Sequence, residues 1–71
     1  METQTTVFYE IVDAVTSESF ITLEHYEALA CHRAGDIVYE KHRTITEPKE
    51  GTQTIVYVIL RWDTDHEFQE D

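Results

Sequence analysis

Four histidines and one cysteine are the side chains of this sequence that could bind a metal ion or attack a substrate. His25 and His32 are seven residues apart in a segment with helical periodicity, whereas metal ligands on neighbouring helical turns are three or four residues apart. His42 and His66 lie in other segments, and no spacing brings a set of ligands together. We therefore expect solvent-exposed histidines and no metal ion or other cofactor.

Cysteine and carboxylate chemistry is also disfavoured. Cys31 would need a base and a lowered pKa to act as a nucleophile, and its place late in a helix disfavours the thiolate, so we expect a half-buried packing residue. Glu24 with Glu27, and Asp63 with Asp65, form carboxylate pairs. General acid–base catalysis requires a cleft that shifts one pKa of such a pair, and a small domain has little room for one. We therefore expect that the chain is not an enzyme.

The elements that position these residues are three strands and one helix. The segments rich in β-branched and aromatic residues are Thr5–Val15, Asp36–Thr46 and Thr52–Trp62. The segment Thr22–Gly35 has helical periodicity, with Thr22 suited to the N-cap and Gly35 to the left-handed C′ position. Its predicted apolar stripe consists of Leu23, Tyr26, Leu29, Ala30 and Ala34.

The order of the strands follows from the most apolar segment. Glu47–Gly51 contains Pro48 and predicts a tight turn, so strands two and three form a hairpin, with Gly51 at positive φ. Because an exposed apolar edge invites aggregation, strand three belongs in the middle of the sheet. The prediction is an α+β fold, βαββ, with a three-stranded antiparallel sheet of order 1-3-2 and one helix on one face. We expect residues 1–71 to form a single small domain with a frayed acidic tail at residues 63–71.

Both faces of this predicted sheet are largely apolar. With Thr46 opposite Thr52, one face carries Val7, Tyr9, Ile11, Ile37, Tyr39, Ile45, Ile55, Tyr57 and Ile59. The other face carries Phe8, Val12, Val38, Val56, Val58, Leu60 and Trp62. One short helix covers only one face, and we expect it to cover the first. The second face is then shielded by a second copy or by a partner, or it is left as an exposed patch, and its candidate oligomer interface consists of Val56, Val58, Leu60 and Trp62.

Charge limits the choice of partner. Fifteen Asp and Glu residues oppose five Lys and Arg residues, for a formal net charge of −10. This charge repels nucleic acid and anionic membranes and favours a basic protein partner, with solubility alone as the other explanation. The sequence contains neither a membrane-length apolar run nor the start of a signal peptide, and its single cysteine excludes an internal disulfide. We expect a soluble cytoplasmic protein.

A short acidic chain with a strand-helix-strand-strand layout, including the stretch TLEHYEALACHRAGDIVYE, is similar in style to small accessory proteins of phages and other mobile elements. These proteins include anti-CRISPR proteins, some of which are DNA mimics. The resemblance is one of size, charge and layout over the whole chain, and it carries over no functional residue. It implies binding and inhibition without catalysis.

Two functions of different classes follow. In the first, the chain is an inhibitor or regulator whose acidic surface engages a basic groove of a host nucleic-acid-binding protein, without contacting nucleic acid itself. The carboxylates predicted to bind are Glu24, Glu27, Glu40, Asp63, Asp65 and Glu67. In the second, the chain is a structural or regulatory homo-oligomer, such as a homodimer, whose apolar Val/Trp sheet face is its own interface.

Overall fold

A computed structural model describes residues 2–63 as a four-stranded antiparallel sheet with one helix. The elements are β1 (Glu2–Val12), β2 (Ser19–Thr22), α1 (His25–Arg33), β3 (Ile37–Glu47) and β4 (Thr54–Arg61). The α+β class is confirmed, and the prediction of three strands is wrong. Within the described residues, no helix is long and apolar enough to cross a bilayer. The predicted tail lies outside the described residues from position 64 onward.

The strand that the sequence pattern missed is β2, which forms a hairpin with β1. The predicted first strand continued to Val15, but the chain turns at Asp13. The Asp13 carboxylate accepts hydrogen bonds from the N–H groups of Val15 at 2.8 Å and Thr16 at 2.9 Å. Ser17 adopts a φ of 68°, and the Asp13 N–H donates to the carbonyl of Glu18 at 2.8 Å. The chain reverses here because the Asp13 carboxylate accepts the N–H groups of the loop, which have no partner strand.

The helix is shorter than predicted at its start and ends where expected. Glu24, and not Thr22, is the N-cap residue, while the Thr22 hydroxyl accepts the N–H of Glu24 at 3.0 Å from the end of β2. At the other end, Gly35 has a φ of 102°, and the N–H of Asp36 donates to the carbonyl of Cys31 at 3.0 Å. This is the Schellman arrangement that a C′ glycine favours, so the predicted role of Gly35 is confirmed.

The sheet order is β2-β1-β3-β4, so the predicted order 1-3-2 is wrong. The two eleven-residue strands β1 and β3 pair along their whole length, from Glu2 opposite Glu47 to Val12 opposite Ile37. This longest ladder occupies the centre, and the shorter β4 lies at an edge. The β3–β4 hairpin has Thr46 opposite Thr54, two residues from the predicted register, and Gly51 has the predicted positive φ of 101°.

The new strand order regroups the two faces of the sheet. Because Ile11 lies opposite Val38, Tyr9 and Ile11 share a face with Val38 and Trp62, and not with Ile37 and Tyr39 as predicted. This shared face is the one that α1 covers. The buried core consists of Tyr9, Ile11, Ala28, Leu29, Val38 and Trp62. The predicted assignment of Trp62 to an exposed interface is therefore wrong, since only 5% of its surface is exposed.

The buried side of α1 also differs from the predicted stripe. Leu29 is buried as expected, and Ala28 is the other buried residue of the helix. Leu23 and Tyr26 are largely exposed, and Ala30 is exposed too. Ala28 and Leu29 share one face of the helix with His25 and His32, because these positions are three or four residues apart. The helix therefore packs with a mixed face that an apolar-only pattern cannot find.

The core assignment can be tested by comparing the same substitution, valine to alanine, at a buried site and at an exposed site. Val38→Ala removes two buried methyl groups, and we expect it to lower the free energy of unfolding by about 2 kcal/mol. Val56 is 51% exposed, and Val56→Ala should cost less than about 1 kcal/mol. Urea unfolding followed by circular dichroism measures both. Equal losses would contradict the described core.

The Asp13 turn predicts a specific pH dependence. Hydrogen bonds from Thr16 and Val15 hold the pKa of Asp13 below its ordinary value. The stabilisation from a depressed carboxyl pKa is complete above the unfolded-state pKa, near 4, and is lost as the pH falls through the folded-state value. Asp13→Asn should therefore flatten the loss of stability below about pH 4, measured as thermal midpoints from pH 7 to pH 2. A wild-type slope in the variant would exclude this turn as its source.

Candidate functional site

Trp62 lies just after β4 and joins the sheet to the helix. Its indole ring makes edge contacts with Tyr9, His25 and His32, with centroid separations of 5.7, 5.6 and 5.5 Å. Its backbone N–H donates to the carbonyl of Val38 at 3.0 Å. The two helix histidines, predicted to be simple surface residues, are therefore packing partners of the tryptophan, although His25 also keeps exposed surface.

A polar network surrounds the same ring. One carboxylate oxygen of Glu40 accepts the indole N–H of Trp62 at 2.9 Å, and the other lies 2.6 Å from His42 Nε2. The Tyr9 hydroxyl is 3.1 Å from His25 Nδ1. Burial, and secondarily the Glu40 charge, raise the pKa of Tyr9. Glu40, predicted to bind a partner, is thus engaged within the fold.

These groups are arranged for packing. Cys31 is a half-buried free thiol, as expected, and burial together with the charges of Asp36 and Glu27 raises its pKa, which disfavours the nucleophilic thiolate. Among residues 2–63, no group of three or more His, Cys, Asp or Glu side chains is placed to hold a metal ion. The described geometry places a hydrogen-bonded aromatic cluster between the sheet and the helix.

The four predicted acidic residues that the structure describes do not form one arrangement. Glu24 and Glu27 lie together at the start of α1, and both are exposed. Asp63 is exposed after β4, and Glu40 is half-buried on the helix-covered face of the sheet. Asp65 and Glu67 lie outside the described residues. Of the predicted carboxylates within residues 2–63, only Glu24 and Glu27 are therefore placed as neighbours on an open surface.

Three of the five cations, Lys41, Arg43 and Arg61, lie on the sheet face that has no helix. Lys41 Nζ is 2.8 Å from a carboxylate oxygen of Glu10, and this hydrogen bond lowers the pKa of Glu10. The Arg43 guanidinium lies 5.7 Å from the centre of the Phe8 ring. The cations are thus concentrated on the face opposite the helix.

The β4 strand is the most exposed apolar element of the described chain. All eight of its residues are exposed, including six consecutive apolar or aromatic residues from Ile55 to Leu60. Val56, Val58 and Leu60 point to the helix side of the sheet but remain about half exposed, since α1 does not bury them. The exposure predicted for these three residues is therefore observed, and their role as an interface stays a prediction.

The backbone of β4 presents an open edge. The Trp62 N–H bond to Val38 marks this opposed pair as hydrogen-bonded, and such pairs recur at every second residue of an antiparallel ladder. Val56, Val58 and Leu60 therefore direct their N–H and C=O groups towards β3. The backbone groups of Ile55, Tyr57, Ile59 and Arg61 point outward, and no strand within residues 2–63 pairs with them. The apolar run Ile55–Leu60 predicts a strand, but the strand order is needed to identify that strand as an edge.

Comparison with protein-family models, with curated proteins and with solved structures gives no match. The features that bear on function are therefore the Trp62 cluster, the helix carboxylates, the cationic sheet face and the β4 edge.

The Glu40 network can be tested through the single tryptophan of the chain. Glu40→Ala removes the acceptor of the indole N–H and the partner of His42, and should lower the free energy of unfolding by about 1 to 3 kcal/mol. Glu40→Gln keeps an oxygen for the indole and should cost less. Urea unfolding followed by Trp62 fluorescence distinguishes the variants. If Glu40→Ala unfolds at the wild-type urea concentration, the carboxylate does not secure the tryptophan.

Proposed function

We propose that this chain is a non-enzymatic protein-interaction module that binds an extended segment of a partner by strand addition to β4. The observation that supports the proposal is the open edge at Ile55, Tyr57, Ile59 and Arg61, where outward backbone groups alternate with exposed apolar side chains. In strand addition, main-chain hydrogen bonds supply affinity and the alternating side chains supply specificity. Both components are present along the whole of β4.

The absence of protective features from β4 supports the same proposal. Sheet edges that must stay unpaired are usually short or carry prolines, bulges or inward charges. Within residues 2–63, the opposite edge consists of the four-residue β2 and of Glu2–Phe8 of β1, which β2 does not cover and in which only Val7 and Phe8 are apolar. β4 has eight residues in unbroken register with β3, contains no proline, and carries one charge, Arg61, at its end. An edge with these features is suited to pairing with a further strand.

A second candidate function rests on the distribution of charge. Three of the five cations lie on the helix-free face, while Glu24 and Glu27 are exposed at the start of the helix. Exposed Glu24 and Glu27 would then engage a basic groove of a host nucleic-acid-binding protein in the cytoplasm, as an inhibitor of the anti-CRISPR or DNA-mimic type would. Such binding would weaken as salt increases.

The two candidates predict opposite behaviour of two variants. Tyr57→Pro removes an outward N–H without touching the β3–β4 hydrogen bonds, so the fold should persist while strand addition is blocked. The double variant Glu24→Gln with Glu27→Gln removes the helix charges and leaves β4 intact. If β4 is the binding element, proteins retained by the immobilised wild-type chain should be lost from Tyr57→Pro and kept by the double variant.

Two controls make this retention experiment interpretable. Tyr57→Ala keeps the backbone N–H and separates the role of the edge from that of the ring. Val58→Pro removes an N–H that pairs with β3 and should unfold the hairpin, which circular dichroism detects. Retention by Tyr57→Pro combined with loss from the glutamine variant would reject β4 and favour the acidic surface.

A further inference from the structure

We infer that the partner of β4 is a second copy of this chain, paired antiparallel about a two-fold axis through Tyr57. This inference rests on the proposed function, because it names the occupant of the same edge. A two-fold axis normal to the sheet brings two β4 edges together with both helices on the same side. It also places residues of one face opposite residues of the same face in the other copy.

The outward backbone groups of β4 are self-complementary in this arrangement. With the axis at Tyr57, each Tyr57 faces its symmetry mate, and Ile55 of each copy faces Ile59 of the other. Gln53 faces Arg61 at both ends. Every outward residue of β4 then lies opposite an outward residue of the other copy. Each opposed pair exchanges two main-chain hydrogen bonds, which gives about ten hydrogen bonds between the two copies.

The charged residues favour the register with the axis at Tyr57 over the register with the axis at Val58. The stretch from Gln53 to Arg61 contains no carboxylate, and Arg61 is its one charge. The Gln53 side-chain N–H donates to a carboxylate oxygen of Glu47 at 2.8 Å, so Arg61 of one copy would approach Glu47 of the other. An axis at Val58 would instead place Arg61 opposite the apolar Ile55. The Tyr57 register therefore gives both arginines an acidic neighbour.

The same pairing covers the exposed side chains of β4. On the helix side, Val56 of one copy lies opposite Val58 of the other, and Leu60 lies opposite Thr54. The two four-stranded sheets become one continuous sheet. Within residues 2–63, each of its two remaining edges consists of the four-residue β2 and of the mostly polar segment Glu2–Phe8 of β1. The apolar edge is thus covered and the edges that remain are less apolar, which limits further growth.

Cysteine cross-linking of the purified chain tests both the pairing and its register. In a Cys31→Ser background, Tyr57→Cys places two thiols opposite each other across the axis, about 5.5 Å apart at Cα, within the range of a disulfide. Val58→Cys is the matched control, because its thiols are diagonal at roughly 7 to 8 Å. Under mild oxidation, Tyr57→Cys should form a covalent dimer, and Val58→Cys should remain largely without a disulfide on a denaturing, non-reducing gel.

Sedimentation of the chain without added cysteines supplies the second measurement. The 8.4 kDa chain should sediment at twice its mass at micromolar concentration, and Tyr57→Pro should sediment as a folded monomer. Because each copy carries −10, the dimer should tighten as salt rises from about 10 to 500 mM, whereas a complex with a basic partner would weaken.

Three results would overturn the inference. They are a wild-type monomer at every concentration and salt, a dimer that Tyr57→Pro leaves intact, and preferential cross-linking of Val58→Cys. If the chain is a monomer but a retained protein still depends on Tyr57, the second copy is wrong and the β4 module stands. If the chain is a monomer and no retained protein depends on Tyr57, both proposals fail.

Discussion

Burial of Trp62 is the constraint on which the rest of this small structure depends. The indole is the largest side chain of the core, and its single donor must be satisfied when it leaves water, which Glu40 does from the neighbouring strand. The ring also meets His25 and His32 of the helix and Tyr9 of β1. One residue therefore ties the end of β4 to β3, β1 and α1, and fixes which sheet face the helix covers.

Placing the core around Trp62 leaves the rest of the sheet uncovered. A nine-residue helix is about 13 Å long, whereas the eleven-residue strands β1 and β3 extend about 36 Å. The helix can cover only the part of the sheet near Ile11, Val38 and Trp62. Within residues 2–63, nothing buries the remaining apolar side chains of β4. The exposure of this strand is thus a consequence of helix length and core position.

The sequence predicts the local features of this fold better than its long-range pairing. Gly35 and Gly51 have the positive φ expected of them, because this preference depends on the glycine alone. The helix face was hidden because His25 and His32 occupy packing positions with polar residues. β2 was missed because a four-residue strand carries little pattern of its own and depends on the Asp13 turn. The sheet order was wrong because an apolar strand was assumed to need two neighbours within one chain.

Charge and apolar surface together limit which surface of the chain can associate with a second copy. An apolar edge can propagate into fibres unless pairing closes on itself, and a two-fold pairing of β4 would close it. Stacking the helix-free faces of two copies would instead remove the Lys41–Glu10 ion pair and Arg43 of each copy from water, at a cost in desolvation. The net charge of −10 opposes non-specific association of further copies. Desolvation of these charges disfavours face stacking and the net charge disfavours clustering, so the β4 edge, whose one charge is Arg61, is the surface that electrostatics opposes least.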